Sequence, residues 1–188
     1  MKSDSIISVI RFCPLCGSSK LNKSNNFILS CSDCSFIYYD NPKVTVCSLI
    51  FNKDGQLLLT KRAEEPMKGF LDLPGGFVDQ NETLEQALIR ELSEELQLSV
   101  QEEDLIYYSS SVGRYEYSGI NYFTVLVCYF CKKIVSGQEI KFDKDEIADI
   151  VFVRPEELNI KLLGMEDTKN LMTKFLKNKD YERQNFKN

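Results

Sequence analysis

The sequence predicts an α+β fold, a mixed β-sheet held between helices as an α/β/α sandwich, preceded by a small four-cysteine ribbon. Two observations carry this. Apolar, β-branched runs stand both before and after one strongly amphipathic helical segment, and a second helix follows near the end. Ahead of them, two CxxC pairs stand in a segment too short to fold on an apolar core of its own. The expected division is a ribbon over residues 1–40 and a main domain over 41–188.

With 188 residues, 43% of them hydrophobic, the chain can bury the core of one full domain and a small one. A net charge of −5 weighs against general nucleic-acid affinity, which needs basic surface, without ruling out a local contact. No run is long enough and apolar enough to span a membrane, and Met1-Lys2-Ser3-Asp4-Ser5 lacks a secretory apolar region, so a cytoplasmic protein is expected. Histidine is absent, which removes the commonest general base and leaves catalysis to carboxylates, metal or tyrosine.

Cys13-Pro14-Leu15-Cys16-Gly17 and Cys31-Ser32-Asp33-Cys34 are two knuckles separated by 14 residues. Each offers two thiolates from a tight turn, and together they supply the tetrahedron Zn²⁺ prefers. A reducing compartment disfavours disulfides, and neither pair is followed by the helix of a redox CxxC. Ser18 to Ser30 reads as a short hairpin. Lys20 and Lys23 are the only basic residues between the knuckles, so the ribbon reads as scaffold and not as a nucleic-acid finger. Cys47, Cys128 and Cys131 lie in apolar strands, the last two on opposite faces of the sheet, and read as packing residues.

In the main domain Val44 to Phe51 is a strand, Asn52-Lys53-Asp54-Gly55 a hairpin turn and Gln56 to Lys61 a second strand, with Arg62 at its end. Ala63 to Pro74 is loop-like, broken by Pro66, Gly69 and Pro74, and Gly75 and Gly76 permit close approach of a phosphate. Leu84, Leu88, Leu92 and Leu96 form one buried stripe of a helix. Strands follow at Leu105 to Val112 and Tyr122 to Cys131, joined by a turn at Tyr117-Ser118-Gly119, and at Ile150 to Val153. Pro155-Glu156-Glu157-Leu158 opens a helical turn, a helix runs from about Glu166 to Leu176, and the lysine-rich tail from Lys177 is expected to fray.

At roughly 100° per residue, Glu91 and Glu95 project within about 20° of Leu84, with Glu94 on the flank beside Ala87. Three carboxylates on one helix edge repel one another, by up to roughly 4 kcal/mol per pair at 4 Å in a protein-like dielectric. A hard divalent cation offsets that repulsion, and Mg²⁺ is typically held by a few carboxylates together with substrate phosphates.

The spacing Gly76-x5-Glu82-x7-Arg90-Glu91-Leu92-x-Glu94-Glu95-x-x-Leu98 resembles the Nudix box. Every charged position is present. Gln97 departs from the pattern, standing where the family usually has a helix-ending glycine. The resemblance covers about residues 41–160, including the approach Leu71-Asp72-Leu73-Pro74-Gly75-Gly76. The ribbon, joined through Tyr38-Tyr39-Asp40-Asn41-Pro42, resembles that of a zinc-ribbon subgroup that includes NADH, FAD and ADP-ribose pyrophosphatases. The stretch associated with NADH pyrophosphatases is replaced here by Ser110-Ser111-Val112-Gly113-Arg114-Tyr115, which weighs against strict NADH specificity.

The resemblance implies a hydrolase for a nucleoside diphosphate linked to another moiety, a small-molecule nucleotide, dependent on Mg²⁺ or Mn²⁺ and carrying a structural Zn²⁺. It implies Glu91, Glu94 and Glu95 as metal ligands, Glu82 as a ligand through water, Arg90 as an orienter of Glu94, and Glu146 as an extra carboxylate for metal or water. Arg62, Gly75 and Gly76 are expected at the phosphates. Tyr38, Tyr39, Phe70, Tyr115, Tyr117 and Tyr122 are the candidates for a base-stacking platform. A nucleotide-sensing regulator and a pyrophosphatase that removes RNA caps are the alternative readings, and a homodimer is left open.

Overall fold

The computed structural model describes residues 5–24, 27–136 and 140–179. Residues 180–188, most of the tail expected to fray, lie outside the described residues, as does the start, 1–4.

A short helix, α1 (Ile6–Val9), precedes a three-stranded antiparallel sheet of β1 (Leu21–Ser24), β2 (Ile28–Cys31) and β3 (Ile37–Tyr39). The hairpin expected between the knuckles is β1 with β2, although its residues 25 and 26 lie outside the described residues. The larger sheet holds β4 (Lys43–Asn52), β5 (Leu57–Arg62), β6 (Leu71–Asp72), β7 (Leu105–Tyr117), β8 (Ile120–Val135) and β9 (Ile147–Val153). Its order is β6-β5-β4-β8-β7, with β9 on β5. β4 and β8 run parallel while β7–β8 and β5–β9 are antiparallel, so the sheet is mixed as expected. The expected β4–β5 turn forms: Asn52 Oδ1 accepts from Asp54 N at 3.0 Å and Gln56 N at 2.9 Å, and Gly55 has φ 73°. The segment read as loop from Ala63 to Pro74 contains β6, too short for periodicity to announce.

α2 (Leu84–Leu96) and α3 (Glu166–Lys177) cover opposite faces. Ala87, Leu88, Leu92 and Leu96 of α2 pack with Val46, Ile50, Leu58 and Val127, while Leu171, Met172 and Phe175 of α3 pack with Leu49, Phe51, Leu57 and Leu59. The alternation of strand residues between the two clusters is the period-2 pleat of a sheet buried on both sides. Cys128 falls in the α3 cluster and Cys131 in the α2 cluster, on the opposite faces expected of them. Among the described residues no helix is long and apolar enough to cross a membrane.

α2 begins at a capping box, in which Gln86 N donates to Thr83 Oγ1 and Thr83 N donates to Gln86 Oε1. It ends at Gln97, whose φ of 50° and ψ of 31° are left-handed. The helix exit therefore keeps the backbone that glycine favours, at a cost of roughly 1–2 kcal/mol for a side-chain-bearing residue.

Candidate active site

The segment Pro74 to Val78 lies along β4: Ser48 N donates to Pro74 O, Val46 N to Gly76 O and Val78 N to Val44 O. Close approach needs glycine. A Cβ on Gly75, which has φ +137°, would lie 2.2 Å from Val46 O. A Cβ on Gly76 would lie 2.5 Å from Glu91 Oε1, so the bare Gly76 backbone makes room for that carboxylate.

Glu95 Oε2 accepts from Gly75 N at 2.9 Å. Burial pushes its carboxyl up to about 8 even against that hydrogen bond, with the nearby charges of Glu91, Glu146 and Asp72 acting in the same direction. Burial likewise raises Glu91, and the adjacent Arg90 opposes it. Two desolvated carboxylates pushed toward their neutral form mark a place where a positive charge is wanted.

Arg90 holds the acidic edge together. Its Nη1 donates to Glu91 Oε1 at 2.9 Å and to Glu94 Oε2 at 3.0 Å; its Nη2 donates to Glu82 Oε1 at 2.7 Å and to Phe77 O at 3.0 Å. Arg90 thus binds three glutamates, Glu94 at i, i+4 among them. Glu82 accepts from Arg90 and, at 2.6 Å, from Asp79 N, and it is not among the residues lining the cavity. Those bonds draw its carboxyl below its usual value, Arg90 contributing most.

Glu91, Glu94, Glu95 and Glu146 share one cavity of about 560 Å³ with Arg62, Gly75 and Gly76. That volume suits a small-molecule ligand. Glu146 directly precedes β9, and its carbonyl accepts from Ala63 N. Arg62 is partly engaged, with Nε on Pro66 O at 2.8 Å and Nη1 3.7 Å from Asp72 Oδ2. Tyr115 and Tyr117 reach the cavity, whereas Tyr38, Tyr39, Phe70 and Tyr122 do not line it.

Sequence reasoning missed a polar group in the same cavity. Thr168 Oγ1 donates to Asp72 Oδ1 at 2.8 Å, and Thr124 Oγ1 donates to Asp167 Oδ2. Burial raises Asp72 to about 6. Phe77, also on the cavity wall, was missed although it directly follows Gly76. Its position beside the turn was the available signal; Thr124, Asp167 and Thr168 have none locally.

In the ribbon, Cys13 Sγ lies 3.7 Å from Cys34 Sγ and Cys16 Sγ 3.6 Å from Cys31 Sγ, and all four ligand atoms lie within 4.8 Å of one another. A tetrahedron with Zn–S of about 2.3 Å has edges of about 3.8 Å. The four thiols could therefore form a zinc site.

The profile of the NUDIX domain matches residues 41–175. The chain belongs to the Nudix family. The chain is 29% identical over 148 residues to an NAD-capped RNA hydrolase NudC of Photobacterium profundum, covering 78% of this chain and 51% of that one. An ADP-ribose pyrophosphatase of Methanocaldococcus jannaschii is 43% identical over 76 residues, 40% of this chain and 44% of that one. The chain thus spans about half the length of these curated relatives. A Nudix hydrolase from Nitrosomonas europaea has the same fold, with a TM-score of 0.62 at 22% identity, covering 92% of this chain and 93% of that one.

Proposed function

We propose that this Nudix protein is a divalent-metal-dependent hydrolase that cleaves the pyrophosphate of a nucleoside diphosphate linked to another moiety, of the ADP-ribose, NADH or FAD type, and releases a nucleoside monophosphate. The observation that carries it is the convergence of Glu91, Glu94, Glu95 and Glu146 on one cavity beside the Gly75–Gly76 turn. The donor set is all carboxylate oxygen, which suits Mg²⁺ or Mn²⁺, and the Glu91 carboxylate lies where a side chain on Gly76 would stand. A bound cation there would neutralise phosphate charge, orient the attacking water and stabilise the leaving oxygen.

Glu91, Glu94 and Glu95 are the residues that would hold it. Arg90 fixes the rotamers of Glu91 and Glu94, and Glu82 fixes Arg90. Glu146 takes a proton from the water. Arg62, restrained by Pro66, offers its guanidinium end to a phosphate oxygen. Residues 1–40 serve as a ribbon folded around one structural Zn²⁺ on Cys13, Cys16, Cys31 and Cys34, and residues 41–188 as the hydrolase domain, in a cytoplasm that keeps the thiols reduced.

A second reading has the same chemistry acting on an NAD-capped RNA end. The likeness to the NAD-capped RNA hydrolase of Photobacterium profundum favours it. The net charge of −5 opposes it. The experiment is to incubate the Mg²⁺-loaded protein with ADP-ribose, NADH, FAD, an NAD-capped RNA and a set of nucleoside triphosphates, and to identify the products. AMP from at least one of the first three supports the main reading. Cleavage confined to the capped RNA supports the second, and cleavage confined to triphosphates overturns both.

A further inference from the structure

Arg62 is the last residue of β5, and atoms of two other segments hold its side chain. Its Nε donates to Pro66 O at 2.8 Å, and its Nη1 stands 3.7 Å from Asp72 Oδ2 in β6. A guanidinium is a planar fork of donors, so fixing its Nε edge also fixes the direction of its Nη end. That end is what Arg62 presents to the cavity it lines.

The carbonyl on Nε belongs to a short loop that closes on itself. Arg62 N donates to Phe70 O and Gly69 N to Arg62 O, both at 2.9 Å, and Phe70 N donates to Met67 O at 3.1 Å. These bonds join the ends of the loop, and its seat is Gly164. A Cβ on Gly164 would lie 2.9 Å from Met67 Cβ and 3.2 Å from Phe70 Cβ. Neither atom is the tip of a side chain that can swing aside, so a side chain at position 164 must displace backbone.

The loop is the part that would yield. Gly164 is pinned from both sides, its N donating to Leu71 O at 2.9 Å and its O accepting from Lys169 Nζ of α3 at 3.2 Å, and the preceding Leu163 is fully buried. Met67, by contrast, is 41% exposed, with φ 65°. Carbon atoms rest about 3.5–4.0 Å apart, so the loop would have to retreat by about 0.6 Å or more from 2.9 Å. Pro66 directly precedes Met67. The same retreat at Pro66 O would lengthen its 2.8 Å bond to Arg62 Nε beyond the ordinary hydrogen-bond range.

We propose that Gly164 is a positioning residue for the reaction: by carrying no side chain it seats the loop from Pro66 to Phe70, and the Pro66 carbonyl then aims the Arg62 guanidinium at a substrate phosphate. The inference rests on the reading of Arg62 as a phosphate-binding residue. Gly164 touches no substrate in this account. Its neighbour Met165 and Pro66 both line the cavity, so the contact between the two segments is built into the cavity wall.

The test is a double-mutant cycle read by calorimetry in Mg²⁺ buffer, with the methylene analogue of ADP as the probe, whose carbon bridge resists cleavage. Loss of a charge-assisted contact predicts that Arg62→Gln weakens binding about tenfold or more. Gly164→Ala should weaken it about fivefold in the wild-type background and less than about twofold in the Arg62→Gln background, because the two residues act as one unit. Met67→Gly removes the Cβ that the new methyl group meets and suits the left-handed φ, so adding it to Gly164→Ala should return affinity to within about twofold of wild type. If Gly164→Ala fails to fold, Met67→Ala decides: trimming the side chain that packs on Gly164 should weaken binding about threefold, again only where Arg62 is present. Absence of binding by the wild-type protein would overturn both this proposal and the reading of the cavity. A bound analogue with equal losses from Gly164→Ala in the two backgrounds, or with no loss in the folded variant, overturns this proposal alone.

Discussion

Gly76 stands against Glu91: a Cβ on Gly76 would come within 2.5 Å of Glu91 Oε1 and 2.6 Å of its Cδ. The atoms in the way belong to the end of a flexible side chain, so the fold can absorb an alanine but the carboxylate must move. At Gly75 the obstacle is the Val46 carbonyl at 2.2 Å, in a backbone conformation with φ +137°. The two neighbouring glycines should therefore fail differently. Gly76→Ala is expected to lower turnover about a hundredfold while changing unfolding free energy by less than about 1 kcal/mol. Gly75→Ala is expected to destabilise by about 2–4 kcal/mol. Urea unfolding alongside steady-state kinetics checks both, and equal stability losses would contradict the distinction.

Glu82 acts through Arg90 in this account, not as a ligand. Glu82→Gln should lower kcat about tenfold and leave the concentration of Mg²⁺ needed for half-maximal activity nearly unchanged, whereas Arg90→Gln, which releases both Glu91 and Glu94, should lower kcat about a hundredfold. Titrating Mg²⁺ against activity separates the roles. A large rise in the Mg²⁺ requirement of Glu82→Gln alone would return that residue to the metal.

Without metal, stability should fall as pH rises from about 5 to 8. Burial holds Glu95 neutral in the fold up to about 8, while in the unfolded chain it ionises from its ordinary value of 4.5. Across that window the folded state binds the extra proton, so raising the pH favours unfolding. Asp72, raised to about 6, adds to the same trend at the lower end of the window. Melting temperatures in buffer free of Mg²⁺ and Mn²⁺, without a chelator that would take zinc, should therefore decline toward pH 8, Glu95→Gln should flatten the decline above pH 6, and Mg²⁺ should raise the melting temperature most at pH 8. A flat wild-type profile in that buffer would contradict the buried position of Glu95.

The ribbon should bring one zinc per chain. Cys31→Ser should lose it and Cys47→Ser should retain it, because Cys47 is buried under α3 in the larger sheet and stands apart from the four-thiol cluster. Elemental analysis of the purified variants decides this, and full zinc content in Cys31→Ser would contradict the site.

The parts of the molecule legible in the sequence are those whose cause is local. The stripe Leu84, Leu88, Leu92 and Leu96 announces α2 because helix period and burial coincide, and Asn52 to Gly55 announces its hairpin because the side chain of Asn52 caps its own turn. The direction of Glu82 was not legible: its choice between cavity and Arg90 depends on Asp79 N, which a turn outside the helix brings to it. Asp72 with Thr168 and Thr124 with Asp167 join residues 96 and 43 positions apart, and their meeting follows from α3 closing over β6, β7 and β8. Gln97 illustrates a third case. It stands where the family usually has glycine, yet the capping hydrogen bonds to Leu92 O and Ser93 O hold it in the left-handed conformation.

The central claim is that the acidic edge of α2 holds a divalent cation that drives pyrophosphate hydrolysis. The most direct measurement is the rate of AMP release from ADP-ribose by the wild-type protein and by the Glu94→Gln, Glu95→Gln double variant, in Mg²⁺ and in EDTA. Both substitutions keep side-chain shape and remove a ligand charge, so the account predicts Mg²⁺-dependent release by the wild type. It predicts a loss of several orders of magnitude in the double variant, which should keep its melting temperature. Wild-type Mg²⁺-dependent activity in the double variant would contradict it.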